Sequence, residues 1–339
     1  LIEEHKDEVA SLVRPVTKNT AGYNLADVKR NDGSFDLTPL FVGAQGTLGI
    51  ISEITCETEP FNPETVLFAA YFESINAACE AAQELRSLPT LPSAIEFVDK
   101  NLLNIVNQLN PNQLKGLLPN PMPQAVLLVE LDDSSERLRK KVIKKIRHIL
   151  DKHAQEFRQE SDPGAQAGLW KIRHASASIL AHSEGALKPI PIIEDGIVPI
   201  EKLHDFIKGI YDLFHNANID VALWGHAGDG NLHVQPFLDI SQLGDRQKAF
   251  KLMDAYYELI NSLNGSTTGQ HNDGRLRGLY LEKLYGAEAY EVLRKVKNIF
   301  DPYGTMNPGV KVNVTNEEVR PLLRTQYSLD HLYNHMPRS

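Results

Sequence analysis

The chain has 339 residues, 42% hydrophobic and 23% charged, which is enough for two ordinary globular domains with a sizeable core. Its formal charge of −9 argues against a nucleic-acid partner. No apolar run approaches a membrane span, and Cys56 and Cys79, the only cysteines, make no disulfide framework and suit a reducing compartment.

The chain opens on Leu1-Ile2-Glu3-Glu4-His5-Lys6, without a signal-peptide core, and is expected to begin inside a longer protein. Residues 1–60 are mixed, with turn signals at Ala21-Gly22, Asn31-Asp32-Gly33 and Gly43-Ala44-Gln45-Gly46 and a β-rich run that predicts a strand over 48–55. Pro60 and Pro63 mark a boundary. Strands are then expected over 66–72, 94–98 and 125–131, alternating with helices over 75–88, 102–109 and 134–153. The Pro- and Asn-rich stretch 110–123 reads as a surface loop, and the basic run 137–147 as a solvated helix face. This alternation suggests α+β layers with helices on one sheet face. A helix over 168–182, a strand over 194–199 and a helix over 200–216 follow. Strands over 221–224 and 232–237 flank a Gly-rich turn, and residues 243–263 are helical. After a second Gly-rich turn at 265–274, a helix runs to Phe300, where Asp301-Pro302-Tyr303-Gly304 stops it.

Four segments can carry chemistry. In Gly225-His226-Ala227-Gly228-Asp229-Gly230-Asn231-Leu232-His233 a hairpin would bring two imidazoles together, and imidazole suits Zn and other first-row metals. In Thr267-Thr268-Gly269-Gln270-His271-Asn272-Asp273-Gly274-Arg275, His271 is a candidate general base and Gln270 offers a metal a carbonyl oxygen. Arg173, with Lys188 fifteen residues on, can clamp a carboxylate. Gly43-Ala44-Gln45-Gly46-Thr47-Leu48-Gly49 can present backbone N–H groups to a phosphate or a ring edge, although it has neither dinucleotide-fingerprint nor P-loop spacing. Taken singly, each segment reads more readily as a plain turn, loop or helix face.

In order and spacing, Asn19-Thr20-Ala21-Gly22-Tyr23-Asn24-Leu25, residues 40–53, the two His-bearing turns and residues 300–309 resemble the FAD-linked oxidases and dehydrogenases of the vanillyl-alcohol oxidase superfamily. The branch is that of the D-lactate, glycolate and D-2-hydroxyglutarate dehydrogenases, and the resemblance runs from about residue 15 to 312. It implies an α+β fold: an antiparallel-sheet cap domain with covering helices over 61–267, joined to a remnant of the FAD-binding domain made of 1–60 and 268–315, with 316–339 as a tail. The family's N-terminal flavin subdomain, with its pyrophosphate loop, would precede residue 1. The resemblance further implies that His226, His233 and Gln270 hold a divalent metal (Zn or Mn), Gln270 standing where the family pattern has Glu. His271 takes the substrate proton, Asn231 lies near flavin and substrate, and Arg173 and Lys188 hold the substrate carboxylate. Ala177 stands where one branch carries a hydroxyl, and Gly46, Thr47, Gly49 and Ile51 line FAD. The expected reaction is oxidation of a small anionic D-2-hydroxy acid to the 2-oxo acid. Electrons pass through flavin to a carrier, in the cytoplasm or at the periphery of a membrane, and a homodimer is compatible with this. Arg275 and Arg277 would add to a locally basic pocket. The competing reading is a non-catalytic flavoprotein subunit that keeps the fold and a weak metal site; Gln270 speaks for it, and His226, His233, His271 and Arg173 speak against it.

Overall fold

The computed structural model describes residues 1–30, 32–59, 61–132, 135–182 and 187–323, with the side chains of 177–182 outside the described set. Two short helices, α1 (Lys6–Ser11) and α2 (Thr38–Phe41), lie in the N-terminal segment. Then come β1 (Val66–Phe72), α3 (Ile75–Arg86), β2 (Ala94–Asp99), α4 (Lys100–Leu109), β3 (Ala125–Leu131), α5 (Glu136–His153), β4 (Glu156–Glu160) and α6 (Pro163–His182). They are followed by β5 (Lys188–Pro189), α7 (Leu203–Asn216), β6 (Val221–His226), β7 (Asn231–Leu238) and α8 (Leu243–Ser262). The C-terminal part carries α9 (Leu281–Tyr285), α10 (Ala287–Phe300) and α11 (Asn316–Val319). Local chemistry sets the helix starts: Ser74, Asp99 and Ser135 each accept a bond from a backbone N–H of the first turn.

The strands form one sheet in the order β4-β1-β3-β2-β6-β7-β5, with every pairing antiparallel. Phe68, Ala70 and Phe72 of β1 face a core shared with α3, α5, α7 and α8. Leu67, Ala69 and Tyr71 face a second core shared with α4 and α6. Helices therefore cover both faces, where the alternation of elements suggested one. The reason is visible in β1, Val-Leu-Phe-Ala-Ala-Tyr-Phe, which is apolar at both parities and buried throughout, as a strand with two covered faces must be.

Other expectations change as well. Residues 48–55 are not a strand: no partner strand lies beside them among the described residues, and Ile50, Ile51 and Ile54 are exposed. Residues 194–199 make only two isolated bridges, both at Ile197, one with Asn231 and one with Ser266. The strand β4 and the two-residue β5 are additions, and Gly286 divides the helix leading to Phe300.

A third apolar cluster lies apart from the sheet. Val9, Leu12, Tyr23, Leu25, Leu40 and Leu48 pack on Leu281, Leu284, Val292, Leu293 and Val296, joining the two ends of the chain. Buried Lys297 ties this cluster together by donating to the carbonyls of Thr47 and Met306 and to Asp301, at 2.6 Å each.

Candidate active site

His226 ends β6, and His233 lies within β7. The register sets His233 opposite Trp224 and His226 opposite Asn231, so both imidazoles rise from one sheet face, their ring centroids 5.6 Å apart. The turn between them is a short 3-10 helix closed by Gly230 at φ +72°, where a Cβ would lie 2.1 Å from the Val198 carbonyl oxygen. Only glycine fits there, because both the positive φ and the close backbone exclude a side chain.

On the other side of β6, strand β2 pairs Glu96 directly with His226. Glu96 Oε1 lies 2.5 Å from His226 Nδ1, and Arg173 Nε donates to Oε2 at 2.6 Å. Burial works to raise the Glu96 pKa, but the hydrogen bonds and charges of His226 and Arg173 outweigh it and hold it low.

A second carboxylate anchors the other two rings. Glu194 receives His233 Nδ1 at 3.2 Å, His271 Nδ1 at 2.9 Å and Arg277 at 3.1 Å. Burial again opposes ionisation, yet the bonds from His233 and His271 and the Arg277 charge bring its pKa down to about 2. In return, the hydrogen bond to Glu194 raises the pKa of His271 above its ordinary value. His271 stacks on His233 with ring centroids 4.9 Å apart.

Asp195 holds the loop that delivers Gln270 and His271. It is fully buried at φ +69°, and its Oδ2 accepts from Thr268 Oγ1 and from the backbone N–H groups of Gln270 and His271. Gly269 packs so closely on Asn231 that a Cβ would meet the amide at 2.9 Å. A non-glycine residue at positive φ is costly and persists only where its surroundings demand it, as three convergent hydrogen bonds do here.

Gln270 reaches both metal-ligand candidates. Its Nε2 lies 3.0 Å from His226 Nε2 and 3.4 Å from His233 Nε2. Ligand atoms around one tetrahedral Zn, at bonds of about 2.0–2.1 Å, stand about 3.3 Å apart, so by position these three side chains fit a divalent cation. The carboxylate on each Nδ1 also leaves Nε2 as the free acceptor, the usual support of a metal-binding imidazole. A second ligand-rich group adjoins this one: Glu194, His233 and His271 place ligand atoms within 4.8 Å of one another. The donor set is therefore wider than His226, His233 and Gln270.

The remaining expected residues fall in different places. Asn231 is fully buried, and its Nδ2 donates to the Asp195 and Gly196 carbonyl oxygens and to Asp195 Oδ1; it braces the loop from behind. Arg173 commits its Nε to Glu96, and Arg277 commits to Glu194, so two buried carboxylates offset part of the expected basic pocket. Lys188 lies opposite Leu238 in the ladder, five residues along β7 from His233, or roughly 17 Å of strand at ~3.4 Å per residue. Ala177 and Ser178 lie outside the described side chains, while Ser176 Oγ touches Arg173. Among the flavin-lining candidates, Gly46 has open space on its Cβ side and Ile51 is exposed. Gly49 would bring a Cβ 3.5 Å from Phe41. Thr47 turns inward, its hydroxyl shared with Tyr23 and the Ala44 carbonyl. Exposed Val42 and Ile50 flank this loop, and a cavity of about 590 Å³ lined by Lys18, Thr20, Tyr23 and Val42 opens beside it. An uncovered apolar edge next to an open glycine backbone fits a flat ring system such as flavin.

Sequence reasoning missed Glu96, Glu194, Asp195 and Lys18. A signal for Glu96 was present, since a carboxylate between Ile95 and Phe97 in an otherwise apolar strand needs a buried partner. Glu194-Asp195 follows the apolar run Ile190 to Ile193 and carries the same hint.

Residues 62–310 match the family "FAD linked oxidases, C-terminal domain", and the chain belongs to it. Among characterised proteins, it is similar to the glycolate oxidase subunit GlcD of Bacillus subtilis, 32% identical over 81% of this chain and 57% of that protein. It is also similar to the D-2-hydroxyglutarate dehydrogenase of Haemophilus influenzae, 29% identical over 91% of this chain and 31% of that one. The mitochondrial cytochrome D-lactate dehydrogenase of Arabidopsis thaliana is 27% identical over 90% of this chain and 52% of its own length. The chain thus spans about a third to little more than half of these relatives. In fold it resembles 4-ethylphenol oxidase from Gulosibacter chungangensis, with a TM-score of 0.55 and 14% identity over 77% of this chain and 56% of the other.

Proposed function

We propose that this chain carries the substrate-handling part of a flavin-dependent dehydrogenase that oxidises a small anionic D-2-hydroxy acid of the lactate, glycolate or 2-hydroxyglutarate type. One observation carries the reading: His226, His233 and His271 meet at one end of the sheet, each anchored through Nδ1 by a nearly buried glutamate. Such anchoring fixes the tautomer, so each ring offers Nε2 as a lone pair on the ligand side. The names of the three proteins similar in sequence, glycolate oxidase, D-2-hydroxyglutarate dehydrogenase and D-lactate dehydrogenase, support the substrate class.

Oxidising a hydroxyl-bearing carbon to a carbonyl requires that the hydroxyl proton leave. His271 takes it at Nε2, and Glu194, bonded to Nδ1, stabilises the imidazolium that forms. Arg173, its Nε on Glu96 and its Nη1 3.5 Å from Ser176 Oγ, is in this reading the cation nearest the histidines for the substrate carboxylate, and Lys188, farther along the sheet, is the second. Asn231 and Asp195 keep the Gln270–His271 loop in register with the β6–β7 hairpin. His226, His233 and Gln270 would hold a divalent cation, Zn or Mn, which when bound polarises the substrate hydroxyl. Gly46, Gly49 and Ile51, with Thr47 shaping the loop from within, would hold FAD, which when bound would supply the acceptor for the carbon-bound hydrogen as a hydride, two electrons and the hydrogen together. Residues 1–48, packed on 281–312, form the flavin-side unit in this reading, and 62–265 the substrate-side unit.

A substrate panel of D-lactate, glycolate, D-2-hydroxyglutarate and a neutral benzylic alcohol, run on the full-length protein with FAD and a dye acceptor, tests it. The expected result is turnover of the anionic substrates, abolished by His271→Ala. Equal turnover of the neutral alcohol, or full activity of His271→Ala, would discard the reading.

A further inference from the structure

Lys18 stands where three segments meet. Its Nζ donates to Gln270 Oε1 at 2.8 Å and lies 3.3 Å from Asp229 Oδ2 in the hairpin turn. Thr17 Oγ1 donates to the Asp229 carbonyl oxygen, so the backbone here is pinned to the turn independently of the lysine head group.

A primary amide has an acceptor end and a donor end. With Lys18 on the oxygen, the NH₂ end is the one that faces His226 Nε2 and His233 Nε2. Those two nitrogens are acceptors, because each ring's Nδ1 is bonded to a carboxylate. The network is thereby satisfied without an ion: an ammonium donates to the amide oxygen, and the amide nitrogen donates to two imidazoles. A divalent cation needs the opposite arrangement, with the Gln270 oxygen toward the histidines. Turning the amide would set its NH₂ end against the Lys18 ammonium, donor facing donor, with a like charge close to the cation.

We propose that Lys18 gates this cation site: it latches Gln270 with the donor end toward the ligand histidines. A cation binds only as the amide turns and Lys18 withdraws onto Asp229. Asp229 makes the withdrawal short and keeps the ammonium paired throughout. The inference rests on the reading that His226, His233 and Gln270 hold a cation, and it adds a residue from the opposite end of the chain that controls entry.

Calorimetric titration of the whole chain with zinc or manganese chloride, at one fixed pH, tests it on wild type, Lys18→Met, Lys18→Arg and Gln270→Glu. Lys18→Met is expected to bind roughly 10- to 100-fold more tightly than wild type, the scale on which groups supporting a ligand alter metal affinity. Lys18→Arg, which keeps the charge and the donor, stays near wild type. Gln270→Glu gains affinity, since a carboxylate has no donor end to turn inward. Should Lys18→Met lower Tm, Lys18→Gln, which drops the charge but keeps a donor, is measured instead and still gains. If removing Lys18 leaves affinity unchanged while Gln270→Glu gains, the gate is wrong and the cation reading stands. If no variant takes up either ion, the cation reading fails and the gate fails with it.

Discussion

Glu194 accepts from two imidazoles and a guanidinium while only 12% exposed, so replacing it leaves Arg277 a buried, unpaired charge. Glu194→Gln is expected to cost about 3–5 kcal/mol of stability, the usual loss when one partner of a buried pair is removed, read from urea unfolding. The sign with pH follows from the same pair. The folded pKa of Glu194, about 2, lies below the unfolded value, so its contribution is complete above the ordinary carboxylate range and is lost as pH falls toward 2. His271 moves the other way. Its pKa is raised by Glu194, and the base of the proposed reaction must be neutral, so kcat/KM is expected to rise with pH through a value above the 6.5 of a free imidazole. In Glu194→Gln that acid limb should shift to lower pH. A limb that stays in place would mean His271 is not the base.

At the scale of elements, the loop 266–271 owes its place to Asp195 rather than to its own sequence. Asn at position 195 tolerates the left-handed backbone but replaces one carboxylate oxygen with a donor facing other donors. Asp195→Asn is expected to lose about 1–3 kcal/mol and to raise amide exchange at Gln270 and His271 before the sheet opens. Unchanged protection there would show that the hairpin holds the loop without help. Asp99, which caps α4 and accepts from Tyr211 Oη at 2.8 Å, is a second buried carboxylate of opposite behaviour. Burial raises its pKa to about 7, so the fold prefers it protonated and stability falls as pH rises from about 4 to 7. Asp99→Asn, with Asn an equally good cap, should flatten that decline in Tm measured across pH. The elements themselves were largely legible, since apolar spacing gives β1, β3, α5, α7 and α8 to within a few residues. The run 48–55 was misread because β-branched residues make a strand only beside a partner.

For the whole molecule, the third apolar cluster matters most, because the described residues of 9–48 form only an isolated bridge, Lys29 with Phe35, and lean on α9 and α10. Leu293, fully buried, also touches the Gly22 turn. Leu293→Ala is expected to cost about 2–5 kcal/mol and to make residues 1–48 the first target of limited proteolysis, ahead of the sheet. Simultaneous loss of both would show one cooperative unit. His226, His233, Gln270 and His271 could be named as candidates from their Gly-rich turns, but only the resemblance carried by the ordered motifs joined the two turns into one expected site. Local pattern fixes what lies within a turn or a strand, and that much the sequence by itself determined: the hairpin, the second loop and the strands that bear them. Pairings across long separations answer to strand order instead. Only when β2 lies beside β6 does Glu96 meet His226, 130 residues away, and only when the chain's two ends pack together does Lys18 reach Gln270, 252 residues on. The tertiary structure alone therefore decided which carboxylates hold the imidazoles and which cation holds the amide, because no short-range periodicity encodes a contact made by closing the fold.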